Sequence, residues 1–521
     1  MSEMITSFIG DMSAGFFIRQ TVVICVLFVT GFFTAAVSYG KKAGLFEILI
    51  SFPVGLSIYT LGSFLLITTG IPFNMVVITV LCLTVVIICA VILSRRAYWK
   101  ELSVGYVLLT LIAVLCISVI STSGLLPVSV SNDSLYYYHM YPNALTHNGG
   151  LRMQFNVFLT DVGQASAILN TLPFVYGFDE GFGIQAFMNI NTLLLVIFSL
   201  FEKCRERFDK KKAVIVTAIL TAVLICSMPY IVMTEWVMSN GYFMCYMFIC
   251  VLTVKRYENE AEPGNDGRIE GAFIMGLLFT MMALLRMEGC IAALILLLCF
   301  SSLKYPGKKL FTVFLVPILV STVVYDIRIF LFMKIDAPYT FLTPLKAIIQ
   351  MAAIAGISVY VIFIRDRIRN MADRYTGAAV ITFLVLANAV LFLYDRILYI
   401  ENAKAFIKNL SNQSGWGLFP MLITGVYVMW FIARSGKTGY NETYWDLCFA
   451  AYLLTAIAVS FARDDALRES IADSGNRVML QVTLLAFFAA SMRVISLISN
   501  DGTADDDNIK NITDQEENRN G

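Results

Sequence analysis

The sequence predicts an all-α, multi-pass membrane protein, and its composition supports this fold class in three ways. The chain has 521 residues, of which 58% are hydrophobic and only 14% are charged. Its mean hydropathy is +0.75, whereas soluble domains carry about a quarter charged residues. An apolar surplus of this size cannot be hidden in a water-soluble core. Lipid must therefore be the solvent for most of the chain.

Long apolar runs divide the chain into candidate membrane helices. A hydrocarbon core needs about 20 apolar residues per helix, and about fifteen runs approach that length. They lie at 20–38, 44–69, 75–94, 104–123, 183–201, 213–232, 236–254, 270–285, 288–303, 310–333, 347–364, 376–394, 415–433, 445–462 and 478–498. The sequence thus predicts a polytopic transmembrane helical bundle of about fifteen spans.

The distribution of basic residues predicts how the bundle is oriented. Alternate connections, starting with 40–43 and ending with the C-terminal tail, hold 25 of the 38 Lys and Arg residues. Basic connections stay on the cytoplasmic side, so residues 124–182 are expected on the extracytoplasmic face of the cell membrane. The net charge of +1 gives no indication of a nucleic-acid partner.

Four regions follow from these patterns. We expect N-terminal transmembrane helices at 1–123, a long external loop with short interfacial helices at 124–182, a transmembrane bundle at 183–498 and a disordered acidic tail at 499–521. The first residues lack a basic segment and a small-residue cleavage site, so no cleaved signal peptide is expected. The eleven cysteines lie almost entirely in apolar runs and are interpreted as small buried hydrophobes.

The external loop carries the residues best suited to chemistry. Both histidines of the chain, His139 and His147, lie here together with Asp133, which follows a predicted span directly. Pro142 disfavours one continuous helix and favours two short turns. The tyrosines at 136–141 suit a segment that lies in the membrane interface.

Two interpretations of Asp133 remain open from the residues alone. It can be the general base of a catalytic loop docked on the membrane, or it can cap a helix while the tyrosines anchor the segment. A metal site built from Asp133, His139 and His147 is a further alternative, since carboxylate and imidazole are ordinary ligands. Their spacing matches no standard set, so we predict no metal and no cofactor.

The loop resembles the first external loop of the GT-C glycosyltransferases. The shared pattern is an early Asp, then Tyr-His and a Pro, then Gly, here Asp133, Tyr138-His139, Pro142 and Gly149. The stretches at 172–189 and 284–289 are similar as well, and the resemblance covers about 120–300. These multi-pass enzymes, which include protein mannosyltransferases and aminoarabinose transferases, use sugars linked to lipid phosphates.

Two features depart from the family pattern. Four predicted spans precede the loop, where family members commonly have one. The Tyr-His-x-Pro spacing is also one residue longer here, as His139-Met-Tyr-Pro142, which leaves the role of His139 open.

The resemblance implies that Asp133 is the catalytic base. An acceptor hydroxyl is a poor nucleophile, so a carboxylate within hydrogen-bonding reach must take its proton as it attacks the anomeric carbon. The departing polyprenyl phosphate mainly needs cationic stabilisation. Attack opposite the phosphate inverts the anomeric configuration.

Several basic and polar residues are candidates for binding the substrate. Arg286 and Arg477 stand out for the phosphate, because an ionisable group near the end of a span costs free energy unless it is paired or used. The resemblance to GT-C glycosyltransferases and the predicted topology provide further candidates for binding the substrate. Some lie in the external loop, and others lie next to Arg286 or Arg477 in the sequence. The remaining expected substrate-binding residues are His139, Arg152, Asp161, Glu288 and Asn476.

Three other functions remain as alternatives. A polysaccharide polymerase or ligase would rely more on arginines in later loops than on an early Asp. A transporter or flippase of lipid-linked sugars would be expected to show broken helix pairs. A non-enzymatic scaffold would not depend on Asp133. The transferase interpretation implies a polyprenyl-phosphate sugar donor, a glycan, lipid or protein acceptor, and the lipid bilayer as partners.

Overall fold

A computed structural model describes most of the predicted bundle. The described residues are 14–39, 44–95, 139–147, 164–177, 183–235, 238–260, 269–286, 288–303, 315, 318–319, 322–323, 343–411, 416–434, 440–461 and 480–499. Within these ranges the backbone forms helices and the turns between them, without any strand. The all-α fold class is therefore confirmed for this part of the chain.

The helices follow one another through the described ranges. The first nine are α1 (Ala14–Tyr39), α2 (Leu45–Thr69), α3 (Met75–Arg95), α4 (Tyr141–His147), α5 (Gln164–Ile168), α6 (Thr171–Val175), α7 (Gly183–Arg207), α8 (Lys210–Ile225) and α9 (Met228–Glu235). The next nine are α10 (Ser239–Glu260), α11 (Ile269–Leu285), α12 (Gly289–Ser301), α13 (Pro344–Val359), α14 (Arg369–Tyr394), α15 (Arg396–Ser411), α16 (Phe419–Arg434), α17 (Tyr440–Phe461) and α18 (Thr483–Ile498).

Fewer helices qualify as membrane spans than the sequence predicts. Among the described residues, six helical segments are long and apolar enough to cross a membrane, in α2, α3, α7, α13 with its π-helical extension, α14 and α17. Shorter apolar segments occur in α1, α11, α12, α16 and α18. A bundle of about fifteen spans is therefore not confirmed. The predicted spans at 104–123 and, for the most part, 310–333 lie outside the described residues.

The predicted span at 213–232 is interrupted. Helix α8 ends at Ile225, and the shorter α9 begins at Met228. Pro229 explains the break, because proline has no backbone N–H to donate to the carbonyl four residues earlier, that of Ile225, where α8 ends.

Helix α10 forms the centre of the bundle. Every residue in the stretch 242–251 is at most 1% exposed, and α7, α9, α11, α12 and α18 pack around it. A helix that is apolar on all sides is typical of the core of a membrane bundle.

Helices α1 and α2 approach each other most closely at two glycines. A Cβ atom at Gly31 would overlap the carbonyl oxygen of Ser51, and one at Gly55 would overlap the carbonyl oxygen of Leu27. Small residues allow this approach, which is how helices commonly associate in lipid.

A proline inside α2 is compensated by a neighbouring helix. Pro53 lies within α2 and has no N–H to donate to the carbonyl of Leu49. Asn191 of α7 donates its side-chain N–H to that carbonyl at 2.7 Å. The Tyr246 hydroxyl of α10 donates to the carbonyl of Pro53 at 2.9 Å. These bonds fix α2 against α7 and α10.

The C-terminus of α12 is capped by a buried cation. Arg365 lies in a 3₁₀ turn, Arg365–Ile368, between the π-helical residues after α13 and the start of α14. Its Nε donates to the carbonyl of Ser301 at 2.9 Å, and its Nη2 donates to the carbonyl of Leu303 at 2.8 Å. Positive charge at a helix C-terminus is favourable, because the unpaired carbonyls carry partial negative charge.

The outer helices expose large apolar side chains. Val76 of α3, Phe383 of α14 and both Phe431 and Ile432 of α16 are more than 60% exposed. Such surfaces on several apolar helices indicate association with a membrane. All ten described cysteines are free of disulfides, and all except Cys25 and Cys226 are buried, as expected for small apolar residues.

Three short helices of the predicted external loop meet at one end of the bundle. Helix α4 begins at Tyr141, so Pro142 occupies its first turn, where a missing N–H costs no helical bond. Helix α4 packs on α6, and α5 packs on α2 and α11. We call this end of the bundle, defined by α4, α5 and α6, the loop end.

Candidate functional site

A buried ion pair lies at the turn between α11 and α12. The Nε of Arg286 donates to Oε1 of Glu288, and its Nη1 donates to the hydroxyl of Ser239 at 2.8 Å. The Glu288 side chain is 6% exposed and that of Arg286 is 13% exposed. Gly289 tightens the turn, because a Cβ atom there would overlap the carbonyl oxygens of Met282 and Ala283.

Two amides connect this ion pair to three further helices. The Nε2 of Gln481, immediately before α18, donates to Oδ1 of Asn240 at 2.6 Å and to Oε1 of Glu288 at 3.3 Å. The hydroxyl of Tyr452 in α17 donates to Oε1 of Gln481. All of these side chains except Arg286 are buried. We call Arg286, Glu288, Ser239, Asn240, Gln481 and Tyr452 the polar cluster.

The polar cluster lies at the loop end. Ser239 and Asn240 form the first turn of α10, and the next turn carries Tyr242, whose hydroxyl donates to Oδ1 of Asn170 between α5 and α6 at 3.2 Å. The backbone N–H of Met238 donates to Oε1 of Gln185 in the first turn of α7 at 3.0 Å. The short helices of the loop thus rest on the same helix that carries part of the cluster.

The arrangement is suited to holding an anion. The Glu288 carboxylate and the Ser239 hydroxyl fix the planar guanidinium of Arg286, and a fixed guanidinium matches the geometry of phosphate oxygens. Part of the Arg286 side chain remains accessible at the loop end. The side chains around Arg286 are buried, and electrostatic interactions with a bound charge are stronger in such surroundings than in water.

His147 is the last residue of α4, and His139 lies two residues before this helix. The ring of His139 meets the ring of Phe174 edge-on, with centroids 5.3 Å apart. Nδ1 of His147 lies 2.9 Å from the carbonyl oxygen of Asn143 in its own helix. No group of three His, Cys, Asp or Glu side chains in the described ranges is arranged to hold a metal ion. Asp133, the third member of the alternative metal site, lies outside those ranges.

The structure describes three of the eight candidate site residues. It brings Arg286 and Glu288 into direct contact and places His139 against Phe174. The other five candidates, namely Asp133, Arg152, Asp161, Asn476 and Arg477, lie outside the described residues. Their roles stay predictions.

Sequence analysis missed four members of the polar cluster. Ser239, Asn240 and Tyr452 belong to runs read as ordinary spans, and Gln481 is a single amide in the run 478–498. An uncharged amide inside an apolar run was the available signal, because it must find a partner when it is buried in lipid.

Two more ion pairs lie at the opposite end of the bundle, one buried and one half-buried. Arg493 of α18 pairs with Asp446 of α17, and its guanidinium lies 3.9 Å from the ring centroid of Trp430. Lys255 of α10 pairs with Glu258 one turn further along the same helix. Buried charges inside a membrane bundle are therefore satisfied at both ends.

Comparison with protein-family models, with curated protein sequences and with solved structures finds no match to this chain.

Proposed function

We propose that this protein is a membrane glycosyltransferase. It transfers a sugar from a polyprenyl-phosphate-linked donor to a hydroxyl of a glycan, lipid or protein acceptor, on the extracytoplasmic face of the cell membrane and with inversion. The observation that carries the proposal is Arg286, whose side chain is 13% exposed and is fixed by Glu288 and Ser239 at the loop end.

The polar cluster supplies what the leaving group requires. As the glycosidic bond breaks, negative charge develops on the lipid phosphate, and a preorganised cation lowers the free energy of that transition state. Arg286 is held before the donor arrives, so little reorganisation is needed during the reaction. Gln481 donates to the Glu288 carboxylate at 3.3 Å, and Asn240 fixes Gln481 by accepting from its Nε2 at 2.6 Å.

Asp133 is the proposed general base. It would take the proton of the acceptor hydroxyl during the attack on the anomeric carbon. In this scheme Arg152, Asp161 and His139 contact the sugar or the acceptor from the loop, while Asn476 and Arg477 approach the donor from the segment before α18. No metal enters the proposed reaction.

The decisive experiment measures transfer of a labelled sugar from polyprenyl-phosphate donors by purified wild-type and variant protein. For Arg286→Gln we expect kcat/KM to fall about 100- to 1,000-fold, the usual loss when a transition-state charge partner is removed. Arg286→Lys keeps the positive charge but lacks the planar guanidinium, which can donate two parallel hydrogen bonds to a phosphate. Its activity should therefore lie between those of Arg286→Gln and the wild type. Asp133→Asn should abolish transfer while the protein stays folded.

Two further variants separate catalysis from folding. The double variant Arg286→Gln, Glu288→Gln removes both charges together, so it leaves no unpaired buried charge and should unfold near the wild-type temperature while remaining inactive. Arg367→Gln, an exposed arginine at the opposite end, is the matched control and should transfer normally. Normal transfer by the folded double variant would rule out Arg286 as the phosphate partner, and normal transfer by Asp133→Asn would rule out Asp133 as the base.

A further inference from the structure

A second candidate site lies at the opposite end of the bundle from the polar cluster. A cavity of about 620 Å³ opens between the last turns of α7 and α10 and the first turns of α2 and α17, with α18 behind it. This volume lies within the range of about 300–1,000 Å³ that is usual for ligand pockets. The glycosyltransferase proposal does not use this cavity.

The rim of the cavity carries an excess of positive charge. Its cations are Lys203, Arg205, Lys255 and Arg256, and its two carboxylates belong to Glu202 and Glu206. Glu258 neutralises Lys255, so the rim retains a net charge of about +1.

Arg205 is the cation that carries this excess. Glu202 pairs with Arg256 at 2.8 Å, and Glu206 pairs with Lys203 at 2.7 Å. Arg205 is exposed in the last turn of α7 and makes no ion pair with any residue in the described ranges. An anion entering the cavity would therefore meet an uncompensated guanidinium at the rim.

The wall of the cavity is aromatic. Trp445 and Phe488 are buried behind it, with ring centroids 4.3 Å apart, and Phe198 lines it from α7. The guanidinium of Arg256 lies 4.6 Å from the ring centroid of Phe46. The charged rim and the apolar wall are therefore in direct contact at this point. The cavity is thus cationic at its mouth and apolar inside.

We propose that this cavity binds an anionic phospholipid of the surrounding bilayer. The lipid phosphate pairs with Arg205 and the neighbouring Arg256, and the start of one acyl chain lies against the half-buried Phe198 and Phe201. Basic pockets between membrane helices bind anionic headgroups in this way. The half-buried Phe198 and Phe201 favour a lipid over a soluble anion, because a small hydrophilic anion would leave their accessible apolar surface uncovered.

The test follows the unfolding temperature of the purified full-length protein in neutral detergent while lipid is added. Phosphatidylglycerol should raise the temperature, whereas phosphatidylcholine with the same chains should not. In Arg205→Gln we expect the half-saturating concentration of phosphatidylglycerol to rise about fivefold, the contribution of one cation near an anionic headgroup. Because Arg205 is exposed, the variant should unfold at the wild-type temperature without lipid.

A matched control and a soluble probe complete the test. Lys211→Gln removes an exposed cation in the first turn of α8 that does not line the cavity, and it should leave the half-saturating concentration unchanged. Glycerol phosphate should not raise the unfolding temperature. Equal responses of Arg205→Gln and wild type would overturn the proposed site. An equal shift with glycerol phosphate would show that the cavity binds a soluble anion and not a lipid.

Discussion

The cost of burying a charge explains the contacts around Glu288 at the residue scale. A carboxylate in an apolar bundle is tolerated only when it is paired and hydrogen-bonded. Glu288 receives bonds from Arg286 and from Gln481. The Glu206 carboxylate, by contrast, belongs to an exposed pair with Lys203, where water solvates both charges.

Removing Glu288 should therefore destabilise the protein far more than removing Glu206. For Glu288→Leu we expect a loss of about 3–5 kcal/mol, because Arg286, of which only 13% is exposed, is left without its counter-charge. Glu206→Leu should cost less than about 1 kcal/mol, as is usual for exposed pairs. Unfolding of both variants in mixed micelles with increasing denaturing detergent gives the two free energies. Equal losses would show that burial does not set the strength of the Glu288 pair.

At the scale of the element, helix α2 depends on a bond from another helix. Asn191→Leu should cost about 1–3 kcal/mol, since it leaves the buried carbonyl of Leu49 without a donor. Pro53→Ala restores a backbone N–H that can reach this carbonyl. In the Pro53→Ala background the Asn191→Leu substitution should therefore cost much less. A double-mutant cycle of unfolding free energies measures the coupling, and additive losses would show that Asn191 does not replace the N–H that Pro53 lacks.

The contact of α1 with α2 gives a second prediction for an element. Gly31→Leu should separate the two helices and lower the unfolding temperature strongly, because its side chain meets the backbone of Ser51. Gly356→Ala in α13 is the control, since a Cβ atom there meets nothing within 4 Å. The control should be neutral or stabilise the protein by up to about 1 kcal/mol, as alanine favours a helix over glycine. A neutral Gly31→Leu variant would exclude the close helix contact.

At the scale of the whole molecule, the predicted orientation places the loop end outside the cell. In a background with the exposed Cys226 replaced by Ser, we expect Met140→Cys to react with a membrane-impermeant maleimide on intact cells. Met140 is 59% exposed in the loop helices. Lys211→Cys, at the opposite end, should react only after the cells are permeabilised. The reverse pattern would show that the excess of basic residues does not set the orientation here.

Across the whole molecule, some helices and contacts could be predicted from the sequence and others could not. The runs that became α2, α3 and α7 were predicted within a few residues, because hydropathy alone decides which segments leave water. The break between α8 and α9 was missed, although Pro229 marks it. Arg286 and Glu288 were each predicted to bind substrate, but their contact with each other was not predicted. The amide of Gln481 in an apolar run indicated a buried partner without identifying it, and the contact of Ser239 had no local signal.

The sequence by itself determined the class of this protein: an all-helical chain with apolar segments suited to a membrane. Composition and hydropathy suffice for that, since each apolar segment must satisfy its own backbone as a helix in lipid. Only the tertiary structure decided which buried polar groups meet. Gln481 and Asn240 are 241 positions apart and yet share a hydrogen bond, and the pairing of such groups depends on how the helices pack. The polar cluster and the cationic cavity are products of that packing.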